Sequence, residues 1–239
     1  MGIATKFGDF REARNQVYDM GLRRHMLSIY TMMAMGIGLT FGVGMVLQIL
    51  TLPALLMQSA GGGILSLVLM LAPLLYVFML GKELQVGSLA KGRTLYWTFC
   101  ALMGFSMSFV FERYTGASIA VAFLSTAIAF SGLSLTGYTT KMDLTPWRGF
   151  LIMGVWGLIG AGIVNMIFGT ALFDMAISAV GVLIFAALTA LDTQMAKRMY
   201  REGHDEMNQR AAVWSALDLY LDFINIMLYL LRFVGVKKD

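Results

Sequence analysis

The sequence contains few charged residues, and this shortage excludes an ordinary water-soluble domain. Asp, Glu, Lys and Arg make up 13% of its 239 residues, against about 25% in soluble domains. A single cysteine, Cys100, cannot form a disulfide within the chain. The two histidines, His25 and His204, lie far apart without a second ligand nearby, which argues against a histidine metal site. Apolar residues are abundant, at 58% with a mean hydropathy of +0.73, and indicate an integral membrane protein.

Seven apolar stretches follow a polar N-terminal segment. Each has about the twenty residues that an α-helix needs to cross a hydrocarbon core of about 30 Å. The sequence therefore predicts an all-α membrane protein with a cytoplasmic tail over residues 1–25, a seven-helix membrane domain over 26–233 and a short tail over 234–239. The stretches lie near residues 26–50, 62–81, 94–111, 115–137, 149–169, 174–193 and 211–233.

The connecting segments predict the orientation. If the N-terminus is cytoplasmic, fourteen of the eighteen Lys and Arg residues lie on the cytoplasmic side, as the positive-inside rule requires. This asymmetry also explains the net charge of +4 without a nucleic-acid partner. The exception is the C-terminus, because Arg232, Lys237 and Lys238 fall outside if the last helix crosses completely. Either the C-terminus is an exception to the positive-inside rule, or the last helix does not fully cross the membrane.

The last apolar stretch carries a polar stripe. Its polar residues recur every three or four positions, which places them on one face of a helix. An aspartate at the bilayer centre costs about 2.5–3.5 kcal/mol, whereas each Leu, Ile or Phe contributes about 0.3–0.6 kcal/mol to insertion. We therefore expect this helix to lie inside the bundle with its stripe inward. The stripe comprises Ser215, Asp218, Asp222, Asn225, Tyr229 and Arg232.

A further acidic residue, Asp192, closes the sixth stretch. Taken alone, it is most simply an interfacial residue that meets water. A short basic loop joins the sixth helix to the last one, so the two run antiparallel and the end of one lies beside the first turns of the other. We therefore expect Asp192 to approach Asp218 and Asp222.

The first helix contains several glycines. Gly38 and Gly42 form a Gly-x-x-x-Gly pair. Small residues at this spacing let two helix backbones approach closely, so the pair predicts packing against a neighbouring helix.

Three separated segments carry a family resemblance. They read GLSLTGYTTKMDL from Gly132 to Leu144, LTALDTQ around Asp192 and LDLYLDFIN around Asp222. Together they resemble the Bax inhibitor-1 family of membrane proteins, in particular the bacterial members that retain the acidic residues. The resemblance implies six helices around a central C-terminal seventh, in a bacterial inner membrane. It also implies a pH-sensitive calcium leak, with calcium as the permeant ion and no cofactor.

The resemblance also implies roles for individual residues. Asp192 and Asp222 match the sensing pair, and Asp218 matches an additional acidic position of animal relatives. In some relatives a basic residue after the second helix binds this pair, and Lys82 is the candidate here. Two carboxylates in a low-dielectric bundle cannot both ionise cheaply and therefore share a proton. The hypothesis is that the protonated pair closes the path, and that the ionised pair, with Asn225, offers calcium the oxygen ligands it prefers.

Other functions stay open. Some bacterial relatives bind a membrane protease of the FtsH type, for which the N-terminal tail would be the handle. A proton-coupled transporter would use the same pair of aspartates. An enzyme is not expected, because Asp192 lacks the preceding tyrosine, and Asp218 and Asp222 lack the Gly-x-Gly-Asp setting, of intramembrane aspartyl proteases.

Overall fold

The computed structural model shows an all-α architecture. It describes residues 2–58, 62–86 and 88–238, with side chains for residues 17–58, 62–77 and 88–238. A 3-10 turn, Thr145–Trp147, precedes the sixth of the helices. The helices are α1 (Gly2–Ile49), α2 (Leu52–Gln58), α3 (Gly62–Val86), α4 (Leu89–Arg113), α5 (Gly116–Thr139), α6 (Arg148–Phe168), α7 (Ala171–Arg198) and α8 (Asp205–Val234).

Each of the seven predicted apolar stretches is helical. They correspond to α1 and to α3 through α8, while the short α2 was not predicted. Helix α1 already begins at Gly2, so the helical backbone extends through the segment interpreted as a tail. The division between a tail and a membrane domain at residue 26 remains a prediction.

The helices begin and end where their sequences supply capping groups. The hydroxyls of Ser88, Thr115 and Thr170 accept hydrogen bonds from backbone N–H groups at the starts of α4, α5 and α7. Helix α7 also has an acidic residue in its first turn and basic residues in its last turn. These charges complement the helix dipole and stabilise both ends.

Five of the described helices are long and apolar enough to cross a membrane. They contain the candidate spans Val17–Ile49, Leu89–Arg113, Gly116–Thr139, Thr145–Phe168 and Ala171–Arg198. The part of α3 with described side chains, Gly62–Val77, is a shorter apolar helix. Helix α8 is not among the five, in keeping with the charges on its polar stripe. The chain is therefore a multi-pass membrane protein.

Helix α8 lies at the centre of the bundle. It packs directly against α1, α4, α5 and α7. Its own large side chains, including Leu219, Tyr220 and Met227, are completely buried. Helix α3 packs against α4, and α6 packs against α7, so the helices around α8 do not surround it evenly. The interior position predicted from the polar stripe is confirmed.

The C-terminal residues lie at the end of the bundle opposite to the α7–α8 connection. The backbone N–H of Thr115 donates to the Val236 carbonyl at 3.1 Å, and that of Lys238 donates to the Arg113 carbonyl at 2.9 Å. These bonds hold the last residues against the α4–α5 connection. Helix α8 therefore runs through the whole bundle and does not stop part-way.

The packing face predicted for α1 was wrong. Gly38 and Gly42 are exposed, and no neighbouring atom lies within 4 Å of a Cβ built on either one. The packed face instead carries Gly36, Thr40 and Gly44: a Cβ on Gly44 would lie 2.7 Å from a phenylalanine ring of α4. Small residues recur every four positions on both faces. The glycine pair alone therefore did not show which face meets α4.

Candidate functional site

The structure brings the three predicted aspartates together between α7 and α8. Asp192 lies near the C-terminal end of α7, while Asp218 and Asp222 lie one turn apart on α8. Asp222 is 3% exposed, and the other two are half-buried. The short α7–α8 connection produces this arrangement by folding the two helices back on each other.

Asp192 and Asp222 form the closest part of this cluster. Their carboxyl groups lie within hydrogen-bonding reach of each other. An ionised carboxylate only accepts hydrogen bonds, so contact between two of them requires a proton on one. Oδ2 of Asp222 is buried and has no hydrogen-bond partner among the described residues. Because an unpaired charge there would be costly, the arrangement fits a pair that holds one proton.

Thr189 is a third polar group in contact with this pair. It lies one turn before Asp192 and places its hydroxyl beside Asp222. The same hydroxyl donates to the Phe185 carbonyl of its own helix at 2.8 Å. Thr189 therefore has both the Phe185 carbonyl and the Asp222 carboxyl group beside its hydroxyl. Its spacing of three residues before Asp192 is the signal that would have identified it.

Arg148 is a cation at this site that the sequence does not predict. It begins α6, is exposed, and interacts electrostatically with Asp192 and Asp218. The positive-inside count had placed it on the same side of the membrane as the end of the sixth helix, and that was the available signal. The side chain of Lys82, the predicted latch, lies outside the described residues, and its role remains a prediction.

Asn225 is positioned differently from the aspartates. Its side-chain amide donates to the Leu221 carbonyl, one turn back on α8, at 2.8 Å. The described residues contain no group of three or more His, Cys, Asp or Glu side chains that could hold a metal ion.

A connecting segment is fastened beside the acidic pair. Residues 140–147, here called the α5–α6 strap, lie against the last turns of α7. The amide of Gln194 donates to the Met142 carbonyl at 2.8 Å and accepts from the Leu144 N–H at 2.9 Å. Gln194 is buried and lies two positions after Asp192. Its two bonds therefore fix the strap next to the site.

Charged groups extend this attachment. Arg198 donates to Asp143 at 2.7 Å and to the Thr145 hydroxyl at 2.8 Å. Lys197 donates to the Tyr138 carbonyl at 2.9 Å. The Thr145 hydroxyl and backbone N–H, followed by the Arg198 guanidinium, lower the pKa of Asp143 to about 2. The strap is thus held to α7 by polar groups outside the apolar part of the bundle.

Buried hydroxyl groups connect α1, α5 and α7 beside the pair. The hydroxyls of Tyr30 and Ser134 lie 2.6 Å apart, and those of Ser134 and Thr193 lie 3.0 Å apart. Gly137 permits this close approach, since a Cβ there would lie 2.9 Å from the Cα of Ala190. Thr193 directly follows Asp192, so α7 is bonded to α5 next to the acidic residue.

A second polar cluster lies at the opposite end of the bundle. Arg232 lies 3.7 Å from Asp174 and over the ring of Tyr229. Asn165 donates to Asp174 at 3.1 Å. Both Tyr229 and Arg232 belong to the predicted stripe of α8. The stripe therefore runs from the acidic pair to an ion pair near the other end.

Comparison with known proteins identifies the family. The family model described as "Inhibitor of apoptosis-promoting Bax1" matches residues 22–239. The chain belongs to the Bax inhibitor-1 family. An uncharacterized protein of Rickettsia prowazekii is 40% identical over 234 residues, with 95% of each chain covered. An uncharacterized membrane protein of Streptococcus pyogenes is 31% identical over 226 residues, covering 91% of this chain and 94% of its own.

The segments that resemble the Bax inhibitor-1 family surround one place in the fold. The segment Gly132–Leu144 supplies the Ser134 hydroxyl, the close contact at Gly137 and most of the strap. The segments around Asp192 and Asp222 supply the acidic pair. The family resemblance thus concentrates where α5, α7 and α8 meet.

Proposed function

We propose that this protein is a pH-sensitive calcium leak in a bacterial inner membrane. The N-terminus lies in the cytoplasm, seven helices cross the membrane, and the α7–α8 end of the bundle faces the cytoplasm. The observation that best supports this proposal is the contact between the carboxyl groups of Asp192 and Asp222 where α7 and α8 pack together. Two acidic groups in such contact respond to a single proton, which is the property that a pH sensor needs.

In the closed state, the shared proton ties α7 to α8. When that proton is lost, two negative charges lie side by side, and their repulsion at about 4 Å is worth about 1–4 kcal/mol for effective dielectric constants between 80 and 20. Helix α7 stays attached to α5 through Ser134 and to the strap through Gln194. The separation therefore occurs between α7 and α8, and the path opens along the polar stripe.

The ionised pair also attracts the permeating ion. Carboxylate oxygens are hard ligands of the type that calcium prefers. Arg148 lies on the side of α7 that leads out of the bundle and limits how strongly a cation is held by Asp192 and Asp218. An inside-negative potential of 100 mV favours inward movement by about 2.3 kcal/mol per elementary charge. Passive flux therefore enters the cytoplasm.

The test is calcium entry into dye-loaded proteoliposomes at about pH 6 and about pH 8, which bracket proton release from a coupled carboxyl pair. Wild-type flux should rise with pH, and Asp222→Asn should remove that dependence because an amide cannot release the proton. Asp205→Asn is the matched control, since it removes an exposed carboxylate from the first turn of the same helix. A pH response that survives in both Asp222→Asn and Asp192→Asn would refute the mechanism. Saturable calcium counterflow would identify a transporter instead.

A second candidate function is regulation of a membrane protease of the FtsH type. The supporting observation is that α1 begins at Gly2, well ahead of its apolar stretch near residues 26–50. At about 1.5 Å per residue, the helix extends about 35 Å ahead of that stretch. Deleting residues 2–16 should then abolish copurification of the protease while calcium flux persists. Copurification that persists after the deletion would contradict this role of the segment.

A further inference from the structure

A lateral groove lies between α1 and α5. It consists of two adjoining cavities of about 380 and 260 Å³, which share Tyr30, Phe130 and Ser131 in their walls. Helices α1 and α5 both pack against α8, and Phe223 of α8 lines the second cavity. Phe223 directly follows Asp222, so the groove reaches from the surface of the bundle to the central helix α8 beside Asp222.

The lining of the groove is apolar along most of its length and charged at one end. Both α1 and α5 contain candidate membrane spans, so a groove between them opens towards hydrocarbon. Its walls include the exposed Leu27 and Leu135. Arg23, also exposed, lines the end nearest the α7–α8 connection. An apolar trench with one cation at its end matches an acyl chain that carries an anionic head group.

The groove also contacts the hydroxyl chain beside the acidic pair. Tyr30 and Ser134 line the first cavity, and Ser134 continues to Thr193 through the 3.0 Å hydrogen bond. A molecule in the groove would therefore touch the groups that hold α1, α5 and α7 together next to Asp192.

We propose that this groove binds one acyl chain of an anionic phospholipid from the surrounding bilayer, with its phosphate at Arg23. The end of the acyl chain lies against Phe130 and Phe223 and fills the space that α1 and α5 leave between them. The phosphate pairs with the guanidinium, a geometry for which arginine is well suited. This binding stands apart from the proposed calcium leak and is tested without measuring ion flux.

The test uses the full chain in phosphatidylcholine vesicles that contain a small fraction of a photoreactive lipid. The lipid is phosphatidylglycerol with a diazirine on one acyl chain, compared with phosphatidylcholine that carries the same chain. After irradiation, mass spectrometry locates the adducts. We expect adducts concentrated on groove residues, and about fivefold more of them from phosphatidylglycerol, since one basic residue near the membrane surface favours an anionic lipid by about this factor.

Two pairs of neighbouring variants separate the head-group contact from the acyl-chain contact. Arg23→Gln should reduce labelling by phosphatidylglycerol to the phosphatidylcholine level, whereas Arg24→Gln, also at an exposed position, should not. Ala34→Trp fills the second cavity and should remove groove labelling, whereas Met35→Trp, at an exposed position outside the lining, should retain it. Ala34→Leu serves if the tryptophan variant does not fold.

Three results would overturn the proposal. Adducts spread evenly over all lipid-facing helices would show that the groove has no preference for a chain. Equal labelling by both lipids in the wild type would show that Arg23 does not select an anionic head group. An absence of adducts on the groove residues with both lipids would show that no acyl chain enters the groove.

Discussion

Replacing Gly137 by alanine tests the contact that holds α5 and α7 together. A Cβ at this position would lie 2.8 Å from the carbonyl carbon of Ala190 and 2.9 Å from its Cα. Both atoms belong to the backbone of α7 and have no rotamer to change. Carbon atoms prefer separations of about 3.5–4.0 Å, so the two helices would have to separate by roughly half an ångström or more.

The expected size of the effect follows from two opposing contributions. Overpacking of this kind destabilises by about 1–3 kcal/mol, while replacing glycine in a helix stabilises by about 0.5–1 kcal/mol. Gly132 is the matched control on the same helix, since a Cβ there meets no atom within 4 Å. Gly132→Ala should therefore show only the stabilisation that comes from replacing glycine in a helix. The two variants should differ by the overpacking contribution, about 2 kcal/mol, which corresponds to about 4–8 °C in melting temperature for a chain of this size.

The assay is thermal unfolding of both variants in the same detergent, followed by near-ultraviolet circular dichroism. Measuring both variants together cancels the effect of the detergent. The same separation of the helices would lengthen the 3.0 Å hydrogen bond between Ser134 and Thr193. If Gly137→Ala melts at or above the temperature of Gly132→Ala, the close approach of α5 and α7 does not limit stability and the reasoning fails.

Three further predictions concern groups at the two ends of the bundle. Gln194→Leu leaves two backbone groups of the strap without a hydrogen-bond partner, which costs about 1–3 kcal/mol of stability each. Hydrogen exchange of the Leu144 amide should therefore accelerate markedly, and an unchanged exchange rate would show that Gln194 does not hold the strap. The pKa of Asp143 is lowered to about 2, so its stabilisation of the strap is present above the unfolded value near 4 and is lost as the pH falls towards 2; strap amides should lose protection over that range, and Asp143→Asn should abolish the pH dependence. Asp174→Asn breaks the half-exposed ion pair with Arg232 at 3.7 Å and should lower the free energy of unfolding by less than about 1 kcal/mol. A larger decrease would show that this ion pair stabilises the protein as a buried pair would.

The helices and the acidic pair could be predicted because each depends on patterns that are local in sequence. Apolar stretches of membrane length gave the long helices. The spacing of Asp218 and Asp222 predicted a helix with one polar face, and burial of that face put α8 at the centre. The short connection after Asp192 left that residue few partners other than the first turns of the next helix.

The contacts that were missed join segments distant in sequence. Gln194 binds backbone groups of the strap, and backbone groups carry no sequence signal. Two faces of α1 carry small residues at the same four-residue spacing: one has Gly36, Thr40 and Gly44, and the other has Gly38 and Gly42. Which face is packed therefore depends on the side from which α4 approaches. Local spacing restricts the possible faces, and only the packing of the neighbouring helix selects one.

Arg148 likewise acts on residues that are distant from it in sequence, here through electrostatic interaction. The family resemblance predicts a latch for the acidic pair at Lys82 in α3, yet a described cation that interacts with Asp192 and Asp218, Arg148, begins α6. Because Arg148 is exposed, solvent and salt weaken its attraction for the buried carboxyl groups. It therefore shapes the potential at this end of the bundle, and its attraction for Asp192 and Asp218 is that of an exposed charge rather than of a buried ion pair.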